Sequence, residues 1–157
     1  MMLQAALQYA ALGWHVFPCA VGKKKPATPH GFKDATTDEA TIRRWWTTNP
    51  RFNIGLATGE ISGIVALDID PRHYGDMVIE AALDEHGPLP DGYYESHTGG
   101  GGRHYLFAYD GEASIDLADG LEVKSDGRYI IVPPSIHPNQ KSYKWELSSS
   151  PLENYET

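Results

Sequence analysis

The apolar positions change period several times along the chain, which predicts helices and strands in mixed order. From Leu3 to Leu12 they recur at helical spacing, and Gly13 follows where a helix would end. The segment Trp14–Cys19 is typical of a short strand, and Lys23–Gly31 after it has the composition of a basic, proline-containing loop. We therefore expect the chain to begin with a helix, a strand and a loop.

A second helix is predicted after this loop. Thr36 and Glu39 have the spacing of a capping box, and Ile42, Trp45 and Trp46 recur on one face of the helix that follows. This spacing favours core packing for both tryptophans. Stacking of their rings on nucleic-acid bases is the alternative.

The rest of the chain is richer in predicted strands. Asn53–Asp70 changes to a two-residue period around a glycine-containing turn, which predicts a hairpin at the centre of the fold. Further predicted elements are a helix over Asp76–His86 and strands over His104–Tyr109, Leu121–Lys124 and Tyr129–Val132. Since helices and strands do not alternate regularly, the expected fold class is α+β, a mainly antiparallel sheet flanked by helices.

Length and composition predict one domain. The chain has 157 residues, of which 41% are hydrophobic, and this suits a single buried core. We expect a folded domain over residues 1–147 and a polar tail over 148–157, a linker or docking strand toward a further domain. The sequence has no membrane-length apolar run and no signal peptide, so a cytoplasmic location is expected.

The charge and cysteine content exclude some classes of function. A formal net charge of −8 argues against nonspecific binding of nucleic acid by the whole surface. The basic residues nevertheless cluster, at Lys23–Lys25, at Arg43 and Arg44, and at Lys124 and Arg128. Cys19 is the single cysteine, which is too few for a disulfide or a zinc finger, and we expect it near the core.

A pair of acids ends the most apolar predicted strand. Side chains alternate along a strand, so Asp68 and Asp70 share one face while Leu67 and Ile69 share the other. Two adjacent carboxylates repel unless a cation neutralises them, and hard oxygen ligands suit magnesium or manganese. An ordinary strand end at Asp70-Pro71 is the alternative.

Two later motifs carry polar side chains at predicted strand starts. In the first, the glycines 99–102 precede Arg103 and His104, a pattern suited to contacts with phosphate but also found in structural hairpin loops. In the second, Glu122 and Lys124 share one face of a strand, as a functional pair or as a solvated ion pair. Asp126, in an Asp-Gly turn, competes with Glu122 as a third acid.

Together these stretches resemble the primase-polymerase domain of the archaeo-eukaryotic primase superfamily, of the plasmid and phage type. The resemblance spans nearly the whole chain, from the loop Lys24-Lys25-Pro26 onward. The three motifs of that family appear in order as Asp68-Ile69-Asp70, Gly102-Arg103-His104 and Leu121-Glu122. Glu122 stands where close relatives often carry aspartate.

The resemblance implies a template-directed DNA polymerase and primase, a nucleotidyltransferase that uses two divalent ions. Asp68, Asp70 and Glu122 are the implied catalytic residues that hold two Mg²⁺ or Mn²⁺ ions, and His104 is implied as a catalytic residue that contacts the nucleotide. The other implied nucleotide contacts are Arg103, Lys124, Ser135 and His137. No zinc is expected, because the cysteine and histidine insertion of some members is missing.

The resemblance also implies the partners. They are a DNA template with its primer, nucleoside triphosphates, and C-terminal helical and helicase domains, and the chain itself is expected to be a monomer. Without the helical domain, we expect extension of primed templates and poor initiation.

Two other functions fit the same residues. Paired acids near a histidine also suit a metal-dependent nuclease or phosphohydrolase. A non-catalytic replication module that binds DNA or nucleotide is the third hypothesis.

Overall fold

The computed structural model describes residues 1–71, 74–86, 93–111, 115–118 and 120–152. The helices are α1 (Met2–Ala11), α2 (Glu39–Thr48) and α3 (Gly75–His86), and the strands are β1 (Val16–Cys19), β2 (Asn53–Ala57), β3 (Ile64–Ile69), β4 (Tyr94–His97), β5 (Arg103–Ala108), β6 (Ile115–Ala118), β7 (Leu121–Lys124), β8 (Tyr129–Val132) and β9 (Lys144–Trp145). They form two antiparallel sheets, in the orders β1-β2-β8 and β6-β7-β3-β5-β4-β9. The expected α+β class is confirmed. Among the described residues, no helix has the length and apolar character needed to cross a membrane.

The central strand β3 alternates as its sequence predicts. Leu67 and Ile69 pack with Ile79 of α3, whereas Ile64 and Ala66 belong to a larger core shared with both sheets. The acids follow Ile64 and Ala66 on the same face, since side chains two apart point the same way. The acidic positions therefore continue a buried apolar row.

The larger core is closed by α1, α2 and the last strand. Trp46 is almost fully buried there, which confirms its predicted core position. The Trp145 indole donates a hydrogen bond to the Tyr9 hydroxyl at 2.8 Å, and that hydroxyl donates to the carbonyl of Pro133. These bonds join three segments that are distant in sequence.

The prediction of a central hairpin is wrong. Although Gly59 and Ile64 form an isolated bridge, β2 pairs with β1 and β8, and β3 pairs with β5 and β7. Because β1 and β8 occupy both edges of β2, β3 pairs in the other sheet. The turn between β2 and β3 contains Gly59 and Gly63, which have φ angles of 95° and 72°. Periodicity identified the strands but not their partners.

The start of α2 also differs from expectation. Asp38, rather than Thr36, is the N-cap of α2, and its carboxylate accepts a hydrogen bond from the backbone of Thr41 at 3.0 Å. In the predicted tail, Leu152 is buried in the larger core and Ser149 accepts a bond from the backbone of Glu95. The remainder of that tail, 153–157, lies outside the described residues.

Candidate nucleotidyl-transfer site

Three polar side chains form a row across β7, β3 and β5. Asp68 is the register partner of Glu122 on one side and of His104 on the other. Direct partners in antiparallel strands have their side chains on the same face, with Cβ atoms about 5 Å apart. The pairing of these strands thus brings together residues that the sequence separates.

Asp68 at the centre of this row is surrounded by cations. Its Oδ1 lies 3.2 Å from Nε2 of His104, and its Oδ2 lies 3.7 Å from Nζ of Lys124. Burial raises the pKa of Asp68, but the hydrogen bond with His104 and the charges of His104, Lys124 and Lys24 outweigh burial and lower the pKa to about 2. The Asp68 carboxylate is therefore held in its charged form.

Glu122 has a cationic partner of its own. Its Oε2 lies 3.4 Å from Nε of Arg128. Within the described part of the chain, no three His, Cys, Asp or Glu side chains lie close enough together to hold a metal ion. Each carboxylate of the row instead contacts a cationic side chain.

The row opens into a cavity of about 260 Å³. Five of the predicted site residues line it, namely Asp68, Asp70, His104, Lys124 and His137. Glu122 lies beside Asp68 in the row. The cavity's other lining residues are Lys24, Phe32, Ile69, Thr98, Gly100, Gly102, Gly127, Arg128, Tyr129, Ile130, Ile131 and Tyr143. The cavity has an acidic side, several cations and an aromatic wall.

Two predicted nucleotide contacts do not line this cavity. Arg103 precedes His104 in β5 and therefore points to the opposite face, where its guanidinium donates to the Tyr105 hydroxyl at 3.0 Å. Ser135 is buried, and its hydroxyl accepts a hydrogen bond from the backbone of Ile54 at 2.8 Å. These hydrogen bonds hold both side chains outside the cavity lining.

The glycine-rich loop contacts His137 directly. A Cβ on Gly99 would lie 2.4 Å from Cβ of His137, and one on Gly100 would lie 2.9 Å from Nε2 of the same imidazole. Asn139 also donates a hydrogen bond to the carbonyl of Gly99 at 2.6 Å. The loop therefore requires glycine in order to seat His137 in the cavity wall.

Asp126, the competing third acid, has a different position. Its Oδ1 accepts a hydrogen bond from the backbone of Glu60 at 2.9 Å, and its Oδ2 accepts one from the Tyr109 hydroxyl at 2.9 Å. One oxygen thus holds the turn after β2, and the other holds the residue that follows β5. The geometry accordingly favours Glu122 over Asp126 as the partner of Asp68.

Sequence reasoning gave no site role to Phe32 or Tyr129, and it placed Lys24 and Arg128 only in basic clusters. The Tyr129 hydroxyl donates to the carbonyl of Lys24 at 2.9 Å, and the ring of Tyr129 stacks on Phe32 with centroids 6.1 Å apart. The asparagine Asn53 donates to the carbonyl of Lys23 at 2.9 Å. These contacts fix the basic loop beside the cavity, and its signals in the sequence were the basic cluster Lys23–Lys25 and the Lys24-Lys25-Pro26 motif.

The donor set fits hard divalent cations. Asp68, Asp70 and Glu122 offer only carboxylate oxygens, which suit Mg²⁺ or Mn²⁺. Asp70 directly follows β3 two residues after Asp68, and it lines the same cavity. The chemistry of the acids thus suits hard divalent ions, and the three side chains would have to draw closer together to share one.

Comparison with known proteins yields one family. The family model Prim-Pol, described as "Bifunctional DNA primase/polymerase, N-terminal", matches residues 6–155. No curated protein matches the chain. The family match confirms the resemblance stated from the sequence motifs.

Proposed function

Because the chain belongs to the Prim-Pol family of bifunctional DNA primase/polymerase N-terminal domains, we propose that its cavity transfers nucleotides from nucleoside triphosphates to a primer 3′-hydroxyl. A primase/polymerase type of function follows from family membership. The proposal of nucleotidyl transfer in particular rests on the row of Glu122, Asp68 and His104 beside a cavity that Asp70 and Lys124 also line.

In this proposal, Asp68, Asp70 and Glu122 hold two Mg²⁺ or Mn²⁺ ions. When bound, such ions activate the attacking hydroxyl and neutralise the triphosphate and its leaving group. The low pKa of Asp68, about 2, supports this role, because its carboxylate is a ready oxygen ligand at neutral pH. Glu122 is the register partner of Asp68 in the sheet, and Asp70 lines the same cavity as Asp68.

The hydrogen-bond donors of the cavity suit the triphosphate. Lys124 and His137 line the cavity with His104, and all three can donate hydrogen bonds to phosphate oxygens. Phe32 and Tyr129 provide an aromatic wall against which a base or sugar can pack. The arrangement supports a bound nucleoside triphosphate more directly than a simple phosphate ion.

The basic loop is the proposed contact for DNA. Lys23, Lys24 and Lys25 are held beside the cavity by the contacts of Tyr129 and Asn53. Since the formal net charge of the chain is −8, we expect weak binding of DNA that falls steeply with salt. The template and primer would therefore be held mainly near the active site.

Primer extension tests the proposal. A labelled primer-template is incubated with Mn²⁺ and either deoxynucleotides or ribonucleotides, and Asp68→Ala is compared with Asp84→Ala, which alters an exposed residue of α3. Lengthening by the wild type is expected, together with a loss of about 100-fold or more in Asp68→Ala only. Circular dichroism of both variants checks that they fold.

Other outcomes would contradict the proposal. Metal-dependent shortening of the label would favour the nuclease hypothesis. Unchanged extension in Asp68→Ala would favour a module without catalytic acids. Efficient synthesis on unprimed templates would contradict the expectation that this chain initiates poorly.

A further inference from the structure

We propose that Arg128 is a mobile counter-cation, which pairs with Glu122 before metal binding and turns to the triphosphate when the carboxylates bind divalent ions. This inference rests on the proposed nucleotidyl-transfer function. It gives a binding role to a residue that the sequence motifs do not include.

The position of Arg128 allows both contacts. Its Nε lies 3.4 Å from Oε2 of Glu122, and the same side chain lines the cavity that contains Asp68 and Asp70. Arg128 lies immediately before β8, after the turn residue Gly127 with a φ of 74°. Its backbone is thus fixed at the cavity while its long side chain remains free to rotate.

The pair with Glu122 is suited to exchange. The side chains of Arg128 and Glu122 are 49% and 29% exposed, and solvent-exposed ion pairs of this kind are weak. A divalent ion carries twice the charge of a guanidinium, so it replaces Arg128 at the carboxylate and repels it. Guanidinium groups bind phosphate oxygens in a two-pronged geometry, and a triphosphate in the same cavity gives Arg128 a new partner.

Lys124 differs from Arg128 in this respect. Its ammonium group lies 3.7 Å from Oδ2 of Asp68 and also donates to the backbone carbonyl of Tyr129 at 3.4 Å. Its side chain is 22% exposed, less than half the exposure of Arg128. Lys124 is therefore a fixed cation, and Arg128 is the one placed to move.

The exchange predicts opposite effects on two affinities. We would measure Mn²⁺ binding by titration calorimetry, and then binding of a non-cleavable dATP analogue at saturating Mn²⁺. Arg128→Ala removes a competing charge, so its Mn²⁺ affinity is expected to rise about two- to three-fold. Its affinity for the analogue is expected to fall about ten-fold, because a charged hydrogen bond to phosphate is lost.

Two matched variants separate this effect from a general change of charge. Arg43→Ala removes an arginine that pairs with Glu39 at 2.8 Å on α2, outside the residues that line the cavity. It is expected to leave both affinities at the wild-type values. Arg128→Lys keeps the charge, so its Mn²⁺ affinity should stay near that of the wild type while its affinity for the analogue falls part of the way.

The outcomes distinguish this inference from the proposed function. If the wild type binds Mn²⁺ and the analogue, but either affinity in Arg128→Ala equals the wild-type value, the exchange is overturned and the proposed function stands. A wild type that binds no Mn²⁺ overturns both. An equal change in Arg43→Ala overturns the exchange, because the effect would then come from net charge.

Discussion

Replacement of Asp68 by asparagine is the most direct test of the electrostatics of the site. The change keeps the shape of the side chain and removes its charge from a position between His104 and Lys124. The stability measurements are made in EDTA, without metal, so that only the protein's own cations act on the site. We expect the variant to fold with a lower free energy of unfolding.

The size of the loss follows from the pKa. The pKa of Asp68 falls from 3.8 to about 2, a difference of about 1.8, and each unit corresponds to about 1.4 kcal/mol. Because the folded-state pKa is depressed, this stabilisation is complete above pH 3.8 and is lost as the pH falls through 2. Asp68→Asn should therefore cost about 2 kcal/mol at pH 5 and about 1 kcal/mol at pH 3.

Urea unfolding followed by tryptophan fluorescence at pH 3, 4, 5 and 6 gives the comparison. Asp84→Asn, an exposed position on α3, is the control. If Asp68→Asn were as stable as the wild type at pH 5, the cations would not stabilise the carboxylate as described. A difference that stays constant down to pH 3 would equally refute the argument, since a cost independent of protonation has another origin.

Two further predictions concern the cavity wall and the core. Gly100→Ala would place a Cβ 2.9 Å from Nε2 of His137, so we expect the imidazole to shift. The affinity for a nucleoside triphosphate, measured by calorimetry, should then fall about three- to ten-fold. An affinity equal to that of the wild type would contradict a role for this wall in binding. Trp145→Phe removes the buried hydrogen bond to the Tyr9 hydroxyl, and urea titrations should show a free energy of unfolding lower by about 1–3 kcal/mol. A smaller loss would show that the bond is dispensable.

Much of the site could be predicted because strand alternation is a local property. The pattern around Leu67 and Ile69 placed Asp68 and Asp70 on one face, and the structure has them lining one cavity. The same alternation puts Arg103 and His104 on opposite faces of β5, so the sequence pattern already indicated that Arg103 lies away from the other site residues. The two-residue period of a strand was sufficient to predict which face these side chains occupy.

The remaining features depend on pairing between distant segments. No pattern near Asp68 indicates that β7 rather than β2 lies beside it, and this is why the hairpin prediction failed. The strands β4 and β9 were not predicted either, because β4 has the sequence Tyr-Glu-Ser-His, without an alternation of apolar and polar residues, and β9 has two residues. The position of Lys24 likewise depends on Tyr129, which is 105 residues away.

The row across β7, β3 and β5 determines where the length of this chain is free to change. Removal or insertion of one residue inside any of these strands, before its member of the row, would move every later side chain of that strand to the opposite face of the sheet and take that member out of the row. Extra residues in the connections would leave the row intact. Anyone grafting this site onto another scaffold must therefore copy three strands in alignment, since the short motifs alone would not recreate it.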